Sequence, residues 1–189
     1  MNHNVQKISS KLLSQYSEIG HSITTKPVAL RCPRYAGGDR EAVDTYKQNL
    51  QRDTGVEYLI IADQTHSDIS CEITQDNIFQ DFWCDGLYTR EKNIALFVIA
   101  SDCVPILLYN QKIGIVGAIH AGRAGLENGI IQKIFSEIQE KYNSQMGDFQ
   151  VYIGPHICQS CYEVGEGEVT GFREKYSACI QQNTEHPEK

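Results

Sequence analysis

Long apolar runs are missing from this sequence. None approaches the ~18 residues that a membrane-spanning helix needs, so no membrane partner is expected. A surplus of positive charge is missing too. There are 17 Lys and Arg against 24 Asp and Glu, a net charge of −7. That balance argues against nucleic acid or an anionic lipid surface as the main partner. The first residues, MNHNVQKISSKLL, lack the apolar stretch and cleavage site of a secretory signal, and cytoplasm is the expected location. A disulfide framework is also absent. The seven cysteines (Cys32, Cys71, Cys84, Cys103, Cys158, Cys161, Cys179) are odd in number and irregularly spaced, and without an export signal they read as free, mostly buried thiols. No internal repeat or low-complexity segment occurs. What remains is a 189-residue chain, 41% hydrophobic, of a length that one domain with its own core accounts for. Residues 1–18 carry a weak helical pattern (Val5, Ile8, Leu12, Leu13, Tyr16), expected to pack loosely, and residues 181–189 form a polar tail.

The apolar residues cluster in short runs rich in Ile, Val and Leu. Three of them fall between Ile94 and Gly125: Ile94–Ala100, Pro105–Tyr109 and Ile113–Ile119. Each is bounded by polar or glycine turns, which predicts buried strands. Further strands are predicted after a turn within Gly20–Thr25 with a continuation over Val28–Cys32, at Tyr58–Ala62, over Asp68–Ile73, near Cys84–Thr89 and at Phe149–Ile153. Helices are predicted from Arg40 to about Arg52, from Gly125 to Tyr142 on the spacing of Leu126, Ile130, Ile134 and Ile138, and from Val169 to Cys179. Strands mixed with a few helices point to an α/β or α+β fold, with a central mixed sheet flanked by helices.

Three side chains able to carry chemistry follow these runs: His66 after the Tyr58–Ala62 strand, Cys103 after Ile94–Ala100, and His120 after Ile113–Ile119. Two imidazoles and a thiolate make a workable zinc set. Three protein ligands leave one position open, and zinc there lowers the pKa of bound water to about 7. The same residues allow another chemistry, with Cys103 as nucleophile, His120 as its base, and Asp102 or Asp85 orienting the imidazole. Gly122-Arg123-Ala124-Gly125 lies between His120 and a helix, where glycines admit close approach of the backbone to a ligand and Arg123 offers a bidentate partner for phosphate or carboxylate. Taken locally, a plain strand-to-helix turn with a solvated arginine explains it as well. Cys158-Gln159-Ser160-Cys161 is a CxxC with no second pair to complete a zinc ribbon, and structural cysteines are the favoured reading. His156 either lines a pocket or bonds to its own loop.

Taken together, Gln64-Thr65-His66-Ser67, Ser101-Asp102-Cys103-Val104-Pro105, Ala118-Ile119-His120-Ala121-Gly122, and Ile153-Gly154-Pro155 with Tyr162-Glu163-Val164-Gly165 resemble the polyphenol oxidase/laccase-domain family. This is the YfiH-like group, also described as multi-activity purine nucleoside phosphorylases. The motifs occur in the family's order from about His21 to Phe172. The resemblance implies the YfiH-like α/β fold and a zinc, rather than copper, held by His66, Cys103 and His120. It implies phosphate-dependent cleavage of adenosine, inosine, guanosine or methylthioadenosine, with adenosine deamination as a second activity. It also makes Cys103, His120 and Asp102 the catalytic candidates, and Arg123, Gly122, Gln64 and His156 the candidates for holding substrate or phosphate. Older descriptions made the family copper oxidases of phenols, and some bacterial members are linked to editing of peptidoglycan precursors.

The chain departs from the family at one point close to the ligands. The family reads HAGWRG, whereas here the segment is His120-Ala121-Gly122-Arg123-Ala124-Gly125, so the arginine is moved by one position. The family has a small residue where His156 stands, its N-terminal part is longer, and a segment that follows its last helix is expected to be absent. Three functions are therefore carried forward: a zinc enzyme acting on purine nucleosides, a metal-free thiol hydrolase, and a binding protein that has lost catalysis.

Overall fold

A computed structural model describes residues 7–24 and 40–181. The predicted strand over Val28–Cys32, the loop before Arg40 and nearly all of the polar tail lie outside the described residues. The fold is mixed α/β, as expected from the alternation of short apolar runs with helical periodicity. The strands are β1 (Lys7–Ile8), β2 (Ile23–Thr24), β3 (Tyr58–Ile61), β4 (Ser70–Ile73), β5 (Gly86–Thr89), β6 (Ile94–Phe97), β7 (Val104–Asn110), β8 (Ile115–Ala121) and β9 (Phe149–Ile153). The helices are α1 (Arg40–Thr54), α2 (Arg123–Asn128), α3 (Ile130–Tyr142) and α4 (Glu166–Tyr176).

The centre is a five-stranded sheet in the order β4-β5-β8-β7-β9. β4 and β5 run parallel, and the β5–β8, β8–β7 and β7–β9 pairs are antiparallel. β8 has partners on both sides and is covered on both faces, which is why Ile115–Ala121 reads as an almost unbroken apolar run instead of an alternation. Leu87 and Tyr88 show the two faces of β5. Tyr88 joins the core that α3 closes with Ile130, Ile134, Phe135 and Ile138. Leu87 faces the other way and joins Ile60, Ile73, Phe82 and Ile94, where the parallel pair β3–β6 forms a second layer. Burying each of these large side chains contributes roughly 1.5–3 kcal/mol.

Four expectations change. Residues 7–18 are not helical. Lys7–Ile8 pairs with Ile23–Thr24, and only a single 3-10 turn forms at Leu13–Gln15. The Ser10 hydroxyl accepts the Leu13 amide and the Ser10 amide donates to His21 Nε2, so the backbone bonds a helix would use are spent elsewhere. β6 stops at Phe97 instead of Ala100, because β3, its strand partner among the described residues, stops at Ile61. The helix predicted from Gly125 to Tyr142 is two helices. The chain turns at Gly129, whose φ of +86° is open to glycine and ends α2. Finally, α4 begins at Glu166, three residues earlier than expected, and ends at Tyr176, with a 3-10 turn over Ser177–Cys179.

Candidate metal centre

His120 stands inside β8, not beyond its end, in register with Pro105 of β7. Its side chain is 3% exposed. A buried imidazole needs a partner for each nitrogen it keeps from water. Nδ1 finds one in Asp85 Oδ1 at 2.8 Å. Asp85 sits just ahead of β5, the neighbouring strand, and its carbonyl also accepts the His120 amide at 2.7 Å. Of the two acids that could have oriented His120, the structure selects Asp85 over Asp102.

Asp85 does more than hold His120. Its carboxylate accepts the backbone amides of Thr65 (3.1 Å), His66 (3.1 Å) and Ser67 (2.7 Å), together with the Ser67 hydroxyl at 2.7 Å. Burial pushes this carboxyl up, but the bonds from His120, Ser67 and Thr65 outweigh it and hold the group at about 2. The carboxylate thus pins the 65–67 loop over the sheet. His66 is carried there at φ +58°, a conformation uncommon for a residue with a Cβ. Ring-bond contact follows: the His66 and His120 rings meet edge to face with centroids 4.8 Å apart.

Cys103 comes from the loop that leads into β7. The apolar residues 98–100 do not extend β6. Instead, the Gln64 amide pairs with Ile99, accepting its N–H at 2.6 Å and donating to its carbonyl at 2.7 Å. Both polar ends of buried Gln64 are thereby engaged in fixing this loop. Gly122 completes the arrangement. A Cβ there would stand 2.8 Å from His66 Cδ2, 3.3 Å from Cys103 Sγ and 3.5 Å from His120 Cε1. The three side chains converge on a backbone that has room for them only because position 122 is glycine.

The ligand atoms of His66, Cys103 and His120 all lie within 4.8 Å of one another. Among the described residues no other His, Cys, Asp or Glu group converges in this way. With Nδ1 of His120 turned to Asp85, Nε2 is left for a ligand, the carboxylate–histidine arrangement common behind metals. Burial disfavours a charged His120, yet Asp85 and Cys103 outweigh it and raise its pKa to about 9. The surroundings therefore favour positive charge, which a divalent cation supplies in place of the proton. The donor set fits such an ion, and one thiolate with two imidazoles leaves a tetrahedral position open.

The other candidates lie around this centre in different ways. Asp102 is exposed, adjacent to Cys103, and its carbonyl accepts the Ile157 amide at 3.0 Å. That bond brings the His156 loop to the edge of the site. His156 is exposed and its Nδ1 bonds to the Gly154 carbonyl at 2.8 Å. Arg123 bonds to partners on its own helix and on α4. Its Nη1 donates to the Glu168 carbonyl at 2.8 Å and lies 3.7 Å from Glu127 Oε2. The bond to Glu168 ties α2 to α4, while Glu127 lies on α2 itself. The expectation that the cysteines are mostly buried is overturned as well, since Cys158, Cys161 and Cys179 are exposed thiols and of those described only Cys84 is buried.

The profile of the multi-copper polyphenol oxidoreductase laccase family matches residues 22–189. Over 121 residues the chain is 36% identical to the purine nucleoside phosphorylase Cj1217c of Campylobacter jejuni, covering 64% of this chain and 52% of that protein. It is 31% identical over 155 residues to the adenosine deaminase RL5 of an unknown prokaryotic organism, covering 75% of this chain and 58% of that protein. The crystal structure of YlmD from Geobacillus stearothermophilus superimposes with a TM-score of 0.69 at 28% identity, over 75% of this chain and 56% of that one. The chain spans about half the length of the curated relatives it matches.

Proposed function

The chain belongs to the multi-copper polyphenol oxidoreductase laccase family, and on that premise we propose that it is a zinc enzyme of purine nucleosides. The reaction is phosphorolysis of adenosine, inosine, guanosine or methylthioadenosine, with deamination of adenosine as a second activity. The observation that carries this reading is the convergence of His66, Cys103 and His120 on one point, with Asp85 behind His120. Relatives named as purine nucleoside phosphorylase and adenosine deaminase support the substrate class.

In this reading His66, Cys103 and His120 hold the zinc, which when bound supplies a Lewis acid and lowers the pKa of a water or polarises an oxygen at its open position. Asp85 keeps His120 in the tautomer that presents Nε2 and fixes the 65–67 loop, so that His66 needs no rearrangement to bind. Phosphorolysis joins a phosphate oxygen to the ribose anomeric carbon as its bond to the purine nitrogen breaks, and the leaving base must gain a proton. Asp102 and His156 are the candidates to give it, supported by the Ile157–Asp102 bond that holds their loops together beside Cys103. Arg123 would have to leave Glu168 and Glu127 to take phosphate, so anion binding by this residue requires a shift of α4 or of its own side chain.

A second reading is favoured by one observation. Asp85, His120 and Cys103 stand in the order of an acid, a base and a thiol nucleophile, with Cys103 and Asp85 both raising the pKa of His120. That arrangement suits a metal-free thiol hydrolase. The two readings separate on His66, which is indispensable as a metal ligand and incidental to a Cys–His pair. The test is metal analysis of the purified protein, followed by an inosine assay with and without phosphate. Bound zinc with phosphate-dependent release of hypoxanthine, abolished in His66→Ala, supports the first reading. Full activity of His66→Ala without metal overturns it.

A further inference from the structure

The CxxC segment lies outside the site described above and nothing in the proposed reaction uses it. After β9 the chain runs through Gly154–Ile157 and closes a 3-10 turn over Gln159–Cys161, with Cys158 as its N-terminal flanking residue. The Cys161 amide donates to the Cys158 carbonyl at 3.1 Å. An i to i+3 bond of this kind holds the two Cα atoms within about 7 Å, which overlaps the ~4.4–6.8 Å range that a disulfide spans. Both side chains are exposed, so a small reagent meets no obstacle. The Cys158 sulfur lies 3.2 Å from the Ser160 hydroxyl.

We propose that Cys158 and Cys161 form a thiol–disulfide exchange site for low-molecular-weight disulfides, with Cys158 the attacking sulfur and Cys161 the resolving one. The electrostatics agree with this assignment of roles. Bonds from Ser160 and from the Cys161 thiol stabilise a Cys158 thiolate and lower its pKa, while Cys161, as the donor beside that anion, is raised. The Cys158 thiolate attacks one sulfur of the disulfide RSSR, forming Cys158–S–SR and releasing RS⁻, which takes up the proton that Cys158 lost. Cys161 gives up its proton and attacks the Cys158 sulfur, forming the Cys158–Cys161 bond and releasing the second R group as RSH. Two protein thiols are oxidised, and one RSSR is reduced to two RSH. The inference is independent of the metal reading, because neither cysteine is a ligand in it.

Cys179 provides an internal reference. It is exposed, and the Gln159 amide reaches its carbonyl at 3.1 Å, so it shares the neighbourhood but no thiol partner is drawn to it by the turn. The test equilibrates the full chain with glutathione buffers of stepped thiol-to-disulfide ratio, quenches with an alkylating agent, and maps peptides by mass. The expected result is loss of two hydrogens in the peptide holding both cysteines, reversed by excess reduced glutathione. Cys161→Ser should accumulate a stable glutathione adduct on Cys158, and Cys158→Ser should form none on Cys161 in the same time. In the unsubstituted protein, alkylation of Cys158 at neutral pH should be at least about threefold faster than that of Cys179. The proposal is overturned if both cysteines remain thiols at every ratio, if the bond forms to Cys179 instead, or if Cys158 reacts no faster than Cys179.

Discussion

Two regions of this molecule border the candidate centre and are built on opposite plans. One is the interior around His120, in β8, and Asp85, just ahead of the neighbouring β5, with exposures of 3% and 0%. The other is the arm from Pro155 to Gln181, in which no residue is buried. The interior is held by charge-assisted bonds between buried groups. The arm is held by exposed bonds to main-chain carbonyls: Arg123 to Glu168, Lys175 to Glu127, and the Ile157 amide to Asp102. Loss of a bond in the first region leaves a desolvated group unpaired, whereas in the second it is replaced by solvent. The interior therefore dictates where the ligands stand, and the arm is free to vary. The chain's departure from HAGWRG obeys this division, since His120 and Gly122 persist while the residue that faces the arm changes.

The largest effect should come from the interior. Asp85→Asn removes the charge that six donors share and offers amide hydrogens where acceptors are needed. It should cost roughly 3–5 kcal/mol, the scale for breaking a buried ion pair, and lower the melting temperature by about 6–20 °C for a chain of this size. Zinc affinity should fall about 10- to 100-fold, as for the loss of a partner behind a ligating histidine. Acid should reproduce the effect in the metal-free protein. The Asp85 carboxyl is held at about 2, below its unfolded value near 3.9. Its stabilisation is complete above the unfolded value and is lost as pH falls from there through about 2. Urea unfolding of wild type between pH 5 and pH 2 should show this decline, and the Asn variant should show a smaller one. An equal decline in both would mean that Asp85 does not organise the interior.

How much of this was legible in the sequence follows the same division. The strands of the interior were found because burial on both faces leaves an apolar run, and Ile115–Ala121 is such a run. His66, Cys103 and His120 stood out because each interrupts or ends a run with a reactive group. Their convergence was implied by the family resemblance and not by spacing, because it depends on the β3–β6 pair and the β5–β8–β7 register bringing positions 66, 103 and 120 together. The role of Asp85 was half visible. It was one of two acids able to orient His120, but nothing local shows that an acid before β5 also accepts three amides from residues 65–67. The bonds of Gln64 were hidden for the same reason: an amide pairing with a backbone 35 residues away leaves no pattern in the chain. In the arm, exposure of Cys158, Cys161 and Cys179 could not be read from composition, because cysteine is buried more often than not.

The comparison sharpens within the centre itself. His66 and His120 should matter alike for the metal and differently for the fold. His66→Ala removes an exposed side chain, and its stability should change by no more than about 1 kcal/mol. His120→Ala strips a buried Asp85 of its partner and should cost about 3 kcal/mol or more. Both should lose zinc binding, measured by titration with a chromogenic chelator as competitor. A destabilised His66→Ala protein would place His66 with the interior and break the distinction. Gly122→Ala should weaken zinc binding less than either. The new methyl would stand 2.8 Å from His66 Cδ2 and 3.3 Å from Cys103 Sγ, so the two loop-borne ligands must yield while His120, at 3.5 Å, need not. About 1–3 kcal/mol of overpacking is expected, with zinc affinity lowered roughly tenfold. Spectra of a cobalt-substituted sample would show whether the sulfur ligand is the one displaced.

The smallest effect on stability, and the sharpest on role, belongs to Arg123. Arg123→Gln should alter the melting temperature little, since exposed substitutions stay within about 0.5 kcal/mol. What it should change is local. If the guanidinium serves as the tie from α2 to the Glu168 carbonyl, amide exchange in α4 should quicken several-fold while exchange in β8 stays as it was. If it also takes phosphate during turnover, the Michaelis constant for phosphate should rise with that for nucleoside unchanged, and the charge of a lysine should restore part of the loss without restoring slow exchange. The two readouts are independent, because glutamine removes both charge and fork whereas lysine returns only charge. Faster exchange alone assigns Arg123 to the arm. A phosphate defect alone would mean that the contact with Glu168 gives way when substrate binds, and that the line between rigid interior and variable arm passes through this side chain.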